Sequence, residues 1–304
     1  MKILVTGGAG FIGSNLVDAL IEQGHEVSVV DNLSTGQKNN LNPRAKFFEL
    51  DITDKKLSEV FVQQSPEVVF HLAAQIDVRK SVSDPISDAQ INILGSLNLL
   101  ECCKKFKVGK IIFSSTGGAI YGDANIIPTP ETYEQKPISP YGICKLSVEK
   151  YLHYYHVVFG LPYIVLRYAN VYGPRQNAQG EAGVVAIFCS KLLAGSQPTI
   201  WGAGQQTRDY VYVADVVAAN LAALNFNKVA TYNVGTGIET NVNELAEQIK
   251  NNIGTNLEFV HGPAKDGEQQ RSCLDYSKIK NELGWLPQTT LAQGIGATVD
   301  WFRK

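Results

Sequence analysis

The sequence predicts an α/β protein with a doubly wound parallel sheet and a smaller, discontinuous C-terminal substrate-binding domain. Three observations predict it. Short runs rich in β-branched and aromatic residues alternate with helix-length segments through the first half of the chain. Those runs, "KILVTG", "EVSVVD", "KFFELD", "VVFHLAA", "KIIFSS" and "YIVLRY", are apolar without polar alternation, as in strands covered on both faces. A glycine-rich turn follows the first run directly and opens a helix. Strand–helix–strand units of this kind close by right-handed crossovers.

The elements follow in order. The first helix spans 11–23 and stops at Gly24, a natural C′ position. The second strand ends at Asp31, the third at Asp51-Ile52 and the fourth at the turn Leu72-Ala73-Ala74. A helix is expected around 88–105. The fifth strand opens into "FSSTGGAIYGD", three hydroxyl residues and two glycines with no charge before Asp123. In "SPYGICKLSVEKYLHYYHVVFG", Ser139 is the N-cap, Pro140 the first helical residue and Gly160 the stop. After about residue 170 the texture turns loop-rich, with "GPRQNAQGEAG", "LLAGSQPTIWGAGQQTRD" and "HGPAKDGEQQRS". One more strand, "TYNVG" at 231–235, can rejoin the sheet. The expected division is therefore a nucleotide-binding domain from 1–168 and 211–238, and a second domain from 169–210 and 239–304.

Composition bounds the partners. The 304 residues are 44% hydrophobic and 18% charged, with a net charge of −2. That leaves no electrostatic footprint for nucleic acid or an anionic membrane. No apolar run approaches the roughly 20 residues that span a bilayer. The first strand begins at Lys2, leaving no room for a signal peptide. The five cysteines (102, 103, 144, 189, 273) are scattered and lack metal-binding spacing, so reduced thiols in a cytoplasmic protein are expected. His153 and His156 sit among Tyr151, Tyr154 and Tyr155, which reads as a packed or subunit-facing aromatic surface; no metal is expected.

Gly7, Gly10 and Gly13 stand in GxxGxxG spacing between strand and helix. Glycine permits the tight turn and lets backbone N–H groups approach a pyrophosphate, and the helix N-terminus adds favourable partial charge. Asp31 is placed for a ribose diol and would repel a 2′-phosphate, so NAD is favoured over NADP. This is the Rossmann arrangement. Asp51, Ile52, Leu72, Ala73 and Ala74 are either the rims of the nucleotide site or ordinary strand ends.

Tyr141 and Lys145 are four residues apart, so they share one helix face. A phenol, with a pKa of about 10, is a poor base at neutral pH; an ammonium alongside and a cationic nicotinamide favour the phenolate. The fifth strand ends at the ligand-binding edge of such a sheet. Thr116 or Ser115 can bridge a substrate alcohol to Tyr141 there, whereas Ser114 reads as a hydroxyl satisfying the strand terminus.

The segments "VTGGAGFIGS", "DNLSTG", "SSTGGAIYG", "SPYGICK", "LRYANVYGPRQ" and "TRDYVYVADV" together resemble the extended short-chain dehydrogenase/reductase superfamily, and within it the UDP-glucose 4-epimerases. The resemblance spans nearly the whole chain. It implies NAD held by Gly7, Gly10, Phe11, Ile12, Gly13, Asp31, Asn32, Ser34, Thr35, Gly36, Asp51, Ile52, Leu72, Ala73, Ala74, Tyr141 and Lys145. It implies Tyr141 as base, Lys145 as its tuner and ribose ligand, and Thr116 aligning the sugar 4-hydroxyl. C4 of a UDP-hexose is oxidised to a ketone, the ring turns over, and hydride returns to the opposite face.

By the same resemblance, Asn170 and Arg208 hold the UDP phosphates, a role that suits a guanidinium. Lys265 replaces an arginine on the nucleotide, and Glu268 falls where an acid holds the uridine ribose. Ser272 matches a position where a tyrosine in some relatives excludes the N-acetyl group, so UDP-N-acetylhexosamines are expected substrates beside UDP-glucose and UDP-galactose. Related dehydratases carry an Asp-Glu pair after the threonine, and decarboxylases a nearby glutamate; Gly117 and Gly118 stand here instead, which favours epimerisation. The stretch Thr116–Tyr121 is one residue longer than in many relatives, leaving the choice between Thr116 and Ser115 open. The competing readings are another nucleotide-sugar reaction (dehydratase, decarboxylase, reductase) or a non-catalytic NAD-binding sensor. Pairing of the helix at Pro140 with the one around 88–105 across a two-fold implies a homodimer.

Overall fold

In the computed structural model, which describes residues 1–178, 183–264 and 269–304, the apolar runs become strands. β1 (Lys2–Thr6) leads into α1 (Phe11–Glu22), β2 (Glu26–Asp31), β3 (Lys46–Glu49), α2 (Leu57–Gln64) and β4 (Val68–His71). Then come α3 (Val78–Ser83), α4 (Pro85–Ala89), α5 (Ser96–Lys105), β5 (Lys110–Thr116), the single turn α6 (Gly117–Ile120), α7 (Pro140–Phe159) and β6 (Tyr163–Tyr168). The remainder is β7 (Asn170–Tyr172), α8 (Val184–Leu193), β8 (Thr199–Trp201), β9 (Thr207–Arg208), β10 (Tyr210–Tyr212), α9 (Val213–Leu224), β11 (Ala230–Val234), β12 (Thr240–Asn241), α10 (Val242–Ile253), β13 (Val260–Gly262), β14 (Arg271–Ser272), α11 (Ser277–Leu283) and α12 (Leu291–Phe302).

Among the described residues the main sheet has seven strands in the order β3-β2-β1-β4-β5-β6-β11, all parallel. Strand order reverses between β1 and β4, and the crevice beyond the carboxyl ends of those two strands is where such sheets bind ligands. β11 rejoins the sheet beside β6, as its sequence implied. Leu16 and Leu20 of α1 and Val216 and Ala223 of α9 fill one face; Phe61, Leu99, Val148 and Leu152 fill the other. Cys102 and Cys103 are part of that second core.

Helix punctuation follows the sequence. The Ser139 hydroxyl accepts from the Gly142 N–H, Pro140 opens α7, and Gly160 ends it at φ +73°. The helix expected around 88–105 differs in one respect: α4 and α5 are joined by a π-helical stretch, Gln90–Gly95. Gly95 packs so closely that a Cβ there would lie 2.8 Å from the Ile52 side chain.

A third core, with Tyr172, Phe188, Leu245 and Ile295, lies beneath α8, α10 and α12. The C-terminal chain nonetheless crosses back: Leu274, Ile279 and Trp285 are buried with α1 and α9 in the first core. The Trp285 indole N–H donates to the Asp215 carbonyl over 2.9 Å. β9 lies between β12 and β14, which sets Arg208 opposite Thr240 on one side and Ser272 on the other.

Candidate active site

The glycine turn is shaped by contact across the sheet's switch point. Gly7 has φ +73°, and a Cβ on it would lie 2.7 Å from the Ala73 nitrogen; one on Gly13 would lie 2.1 Å from the Gly7 carbonyl. The turn after β1 and the exit of β4 therefore meet backbone to backbone. Gly10 offers α1 no side-chain cap, so the first-turn amides, those of Phe11 and Ile12 among them, receive no acceptor from the N-cap residue. That is a ready anion site.

Asp31 ends β2 and accepts from the N–H groups of Ala9 (3.0 Å) and Leu33 (2.9 Å). Burial raises its pKa, against the pull of those two bonds. Any side chain on Gly36 would meet Asp31 Oδ1 at 2.8 Å. Asn32 donates to Asp51 over 2.6 Å and accepts from the Ser34 N–H at 3.0 Å, bracing the exposed loop that carries Ser34 and Thr35. Burial opposes ionisation of Asp51, but the bonds from Thr53 and Asn32 win and hold its pKa down. Leu72, Ala73 and Ala74 are half-buried at the β4 exit, whereas the Ile52 side chain is committed to the core. A carboxylate for a diol and an uncapped helix start for a pyrophosphate fit a dinucleotide.

At the end of β5, Lys145 is only 4% exposed. Its Nζ donates to the Ser114 carbonyl over 2.9 Å, stands 4.8 Å above the Phe113 ring, and lies 5.9 Å from the Tyr141 ring centroid. Burial lowers its pKa to about 8, with Asp88, Cys144 and Glu149 pulling the other way. Tyr141 is half-buried, and its N–H donates to Ser81 Oγ at 3.2 Å. Ser114 Oγ lies 3.0 Å from the Tyr168 hydroxyl, a strand-end role as expected.

Ser115 and Thr116 part company. The Ser115 hydroxyl donates into the interior, to Glu149 Oε1 at 2.6 Å, which removes it from the cleft and corrects its candidacy for substrate contact. Thr116 is half-buried; its Oγ1 caps α6 by accepting the Ala119 N–H at 3.2 Å. A Cβ on Gly118 would be 3.7 Å from Asn170 Oδ1 and 3.9 Å from Thr116 Oγ1, so these two side chains flank the same spot. Gly117 is different, because Leu274 would sit 2.3 Å from a Cβ there. No acid fits at position 117 while Leu274 stays in place.

Arg208 is half-buried, with one guanidinium nitrogen donating to the Thr207 carbonyl over 2.8 Å. Its neighbour Asp209 is not a surface ion-pair partner. It is buried and accepts from the N–H groups of Thr236, Gly237 and Leu274 and from the Thr236 hydroxyl. Burial raises the Asp209 pKa, and those donors oppose the rise. Ser272 is buried in register beside Arg208. Lys265 and Glu268 lie outside the described residues.

Three networks escaped the sequence. Arg167 forms a buried ion pair with Glu149 on α7, and its other arm donates to the Tyr121 hydroxyl at 2.8 Å. Tyr121 in turn donates to Asn233 on β11 at 2.8 Å. His71 bridges Thr6 and Ser96 at 2.8 Å on both ring nitrogens. The Ser96 hydroxyl donates to the Asn92 carbonyl at 2.6 Å, so His71 carries its proton on Nε2 and accepts from Thr6 at Nδ1. The third is the Asp209 cluster. A glutamate four residues beyond Lys145, on the apolar face of its helix, was the one legible signal among them.

Residues 3–235 match the model of the NAD dependent epimerase/dehydratase family. A protein named "Putative UDP-glucose 4-epimerase" from Methanocaldococcus jannaschii is 50% identical over 99% of this chain and 98% of its own length. The structure of a UDP-glucose 4-epimerase from Thermotoga maritima with UDP-glucose superposes with a TM-score of 0.98 at 53% identity, covering 100% of this chain and 99% of that one. That of a UDP-glucose 4-epimerase from Thermus thermophilus in complex with NAD gives 0.96 at 43% identity, with coverage of 100% and 99%. With the switch-point crevice, the acid at the end of β2 and the Tyr141–Lys145 face in one sheet edge, this chain belongs to the NAD dependent epimerase/dehydratase family.

Proposed function

We propose that the chain catalyses 4-epimerisation of a UDP-hexose, interconverting UDP-glucose and UDP-galactose. The observation that carries this reading is the site's composition at the end of β5: Tyr141 and Lys145 on one face of α7, Thr116 beside Asn170, and two glycines where a second chemical step would need an acid. Tyr141 takes the proton of the sugar 4-hydroxyl and later returns it. Lys145, anchored to the Ser114 carbonyl, brings its positive charge to the phenol and favours the phenolate. Thr116 orients the hydroxyl; Ser115 instead braces α7 through Glu149. NAD, held by the glycine turn, the start of α1 and Asp31, supplies the hydride acceptor and donor when bound. Asn170 and Arg208 grip the diphosphate, so the sugar can turn over without leaving. Incubation with UDP-glucose and proton NMR of the product tests this; a 4-keto-6-deoxy sugar or a pentose in place of UDP-galactose would assign another reaction.

A second substrate class has its own support. Ser272 is small and lies in register beside Arg208, at the position where, by the family resemblance, a larger side chain excludes an N-acetyl group. UDP-N-acetylglucosamine should therefore turn over, and Ser272→Tyr should abolish that turnover while sparing UDP-glucose. Equal turnover in parent and variant would remove the assignment.

The cofactor is held by residues 1–168 and 211–238 and the nucleotide sugar by 169–210 and 239–304, a division that the separate third core supports. Exposed apolar side chains on α7 (Ile143, Tyr154, Val157, Val158), with Ile86 of α4 and Leu94 of the π stretch, support a homodimer through these helices. All five cysteines are free, which supports a reducing compartment such as the cytoplasm.

A further inference from the structure

Asp88 sits at the end of α4, where the π-helical stretch begins, and is 1% exposed. Its Oδ1 accepts from Gln75 Nε2 at 2.8 Å and from Asn92 Nδ2 at 2.9 Å. Among the described residues its Oδ2 has no hydrogen-bond partner. The carboxylate is felt by the Cys144 thiol on α7, whose pKa burial chiefly, and Asp88 secondarily, push up. A buried carboxylate satisfied on one side only is costly unless a cation compensates it. The cation is one residue further along α7, on which α4 packs: Lys145.

Asp88 also reaches the other way. Asn92 and Gln75 exchange two bonds of 2.9 Å, Gln75 N–H to Asn92 Oδ1 and Asn92 Nδ2 to the Gln75 carbonyl. Gln75 Oε1 accepts the Asp77 N–H at 2.6 Å. The loop leaving β4, which begins with Leu72, Ala73 and Ala74, is thus fastened to the helix that carries Asp88. The π turn sets Asp88, Asn92 and Ser96 on one buried face of that helix.

We propose that Asp88 is a positioning residue for the reaction: it is the counter-charge of Lys145 supplied from outside α7, and it ties the cofactor-side loop 72–77 to α4, which packs on the catalytic helix. The inference rests on the assignment of Tyr141 and Lys145 above. The groups facing Lys145 are Asp88 from α4, His71 from β4, the Ser114 carbonyl from β5, and Tyr141, Cys144 and Glu149 on its own helix. Glu149 is neutralised by Arg167, and His71 is held neutral by burial. Asp88 is the negative charge among them without a cationic partner other than Lys145.

Asp88→Asn keeps an oxygen for Gln75 and Asn92 and removes only the charge. It should fold and retain NAD like the parent. The Lys145 ammonium should titrate lower by about one pH unit, read by nitrogen-15 NMR of the lysine Nζ, and the alkaline limb of kcat should move down by a similar amount. Asp88→Ala removes the tie as well, and should shed NAD roughly tenfold faster. Cys144→Ser leaves the Asp88 charge in place, so the Lys145 titration should match that of the parent. A Lys145 titration unchanged in Asp88→Asn would overturn the inference, as would one lowered equally by Cys144→Ser. A parent that turns over no UDP-hexose would instead overturn the functional reading, while the NMR titration still decides the role of Asp88.

Discussion

Ser115 donates to Glu149 across 2.6 Å on the buried side of β5, so the two hydroxyls at the end of this strand serve different masters. Strand alternation turns position 115 toward α7, and the next residue ends the strand in the cleft. A sequence of three hydroxyl residues thus contains one strand-end bond, one brace for the catalytic helix and one cleft group.

Thr116→Val should lower kcat by about 10²-fold with little change in stability, since it removes one oriented hydrogen bond to the reacting alcohol. Ser115→Ala should keep kcat within a few-fold and cost about 1 kcal/mol of folding stability. Steady-state kinetics beside urea unfolding separates the two; the reverse pattern would reassign the alignment to Ser115.

The Glu149–Arg167 pair is buried on both sides, so either half alone leaves an uncompensated charge. Glu149→Leu and Arg167→Met should each destabilise by about 3–5 kcal/mol, and the double variant by less than the sum. Additive losses in a double-mutant cycle would show that the charges do not interact.

His71 is held neutral: burial chiefly, and Lys145 secondarily, lower its pKa from 6.5 to about 3. The unfolded chain binds a proton that the folded chain refuses throughout that window, so stability is full above pH 6.5 and is lost as the pH falls toward 3. The loss is on the order of 5 kcal/mol. Urea midpoints between pH 7 and pH 4 should show this slope. His71→Gln should be less stable at pH 7 but flatter in pH, and an equally steep profile would place the acid sensitivity elsewhere.

Gly117→Asp should misfold or lose several degrees of melting temperature, because Leu274 occupies the space. Adding Leu274→Ala should restore part of the loss. Gly118→Asp meets only ordinary contacts and should melt within about 3 °C of the parent. Calorimetry on the three proteins checks the order.

Much of this was legible from residue patterns. Unbroken apolar runs told parallel strands, and Ser139, Pro140 and Gly160 bounded α7 because capping chemistry is local. Gly7, Gly13, Asp31 and Lys145 were readable because each answers a local need at a strand end or helix face. What was not legible depends on pairing between distant segments. β9 and β14 are two residues each, too short for any periodicity, yet their register is what brings Arg208 beside Ser272. Nothing in the sequence around Asp209 marks it as buried; only the return of the chain at Thr236 and Leu274 supplies the donors that satisfy it there. Asp88 and the π stretch carried no signal, since a widened helical turn leaves the apolar spacing nearly intact.

The Asp209 cluster has a temporal consequence. One carboxylate holds together three stretches of chain whose farthest member is Leu274, and it adjoins Arg208, proposed above to hold the substrate's diphosphate. A ribosome that has released the glycine turn, Asp31 and Tyr141 has still to deliver α9, β11 and Leu274, which complete the first core and the Asp209 cluster. The Asp209 cluster closes only when Leu274 arrives, so the setting of Arg208 is among the last parts of the molecule to form.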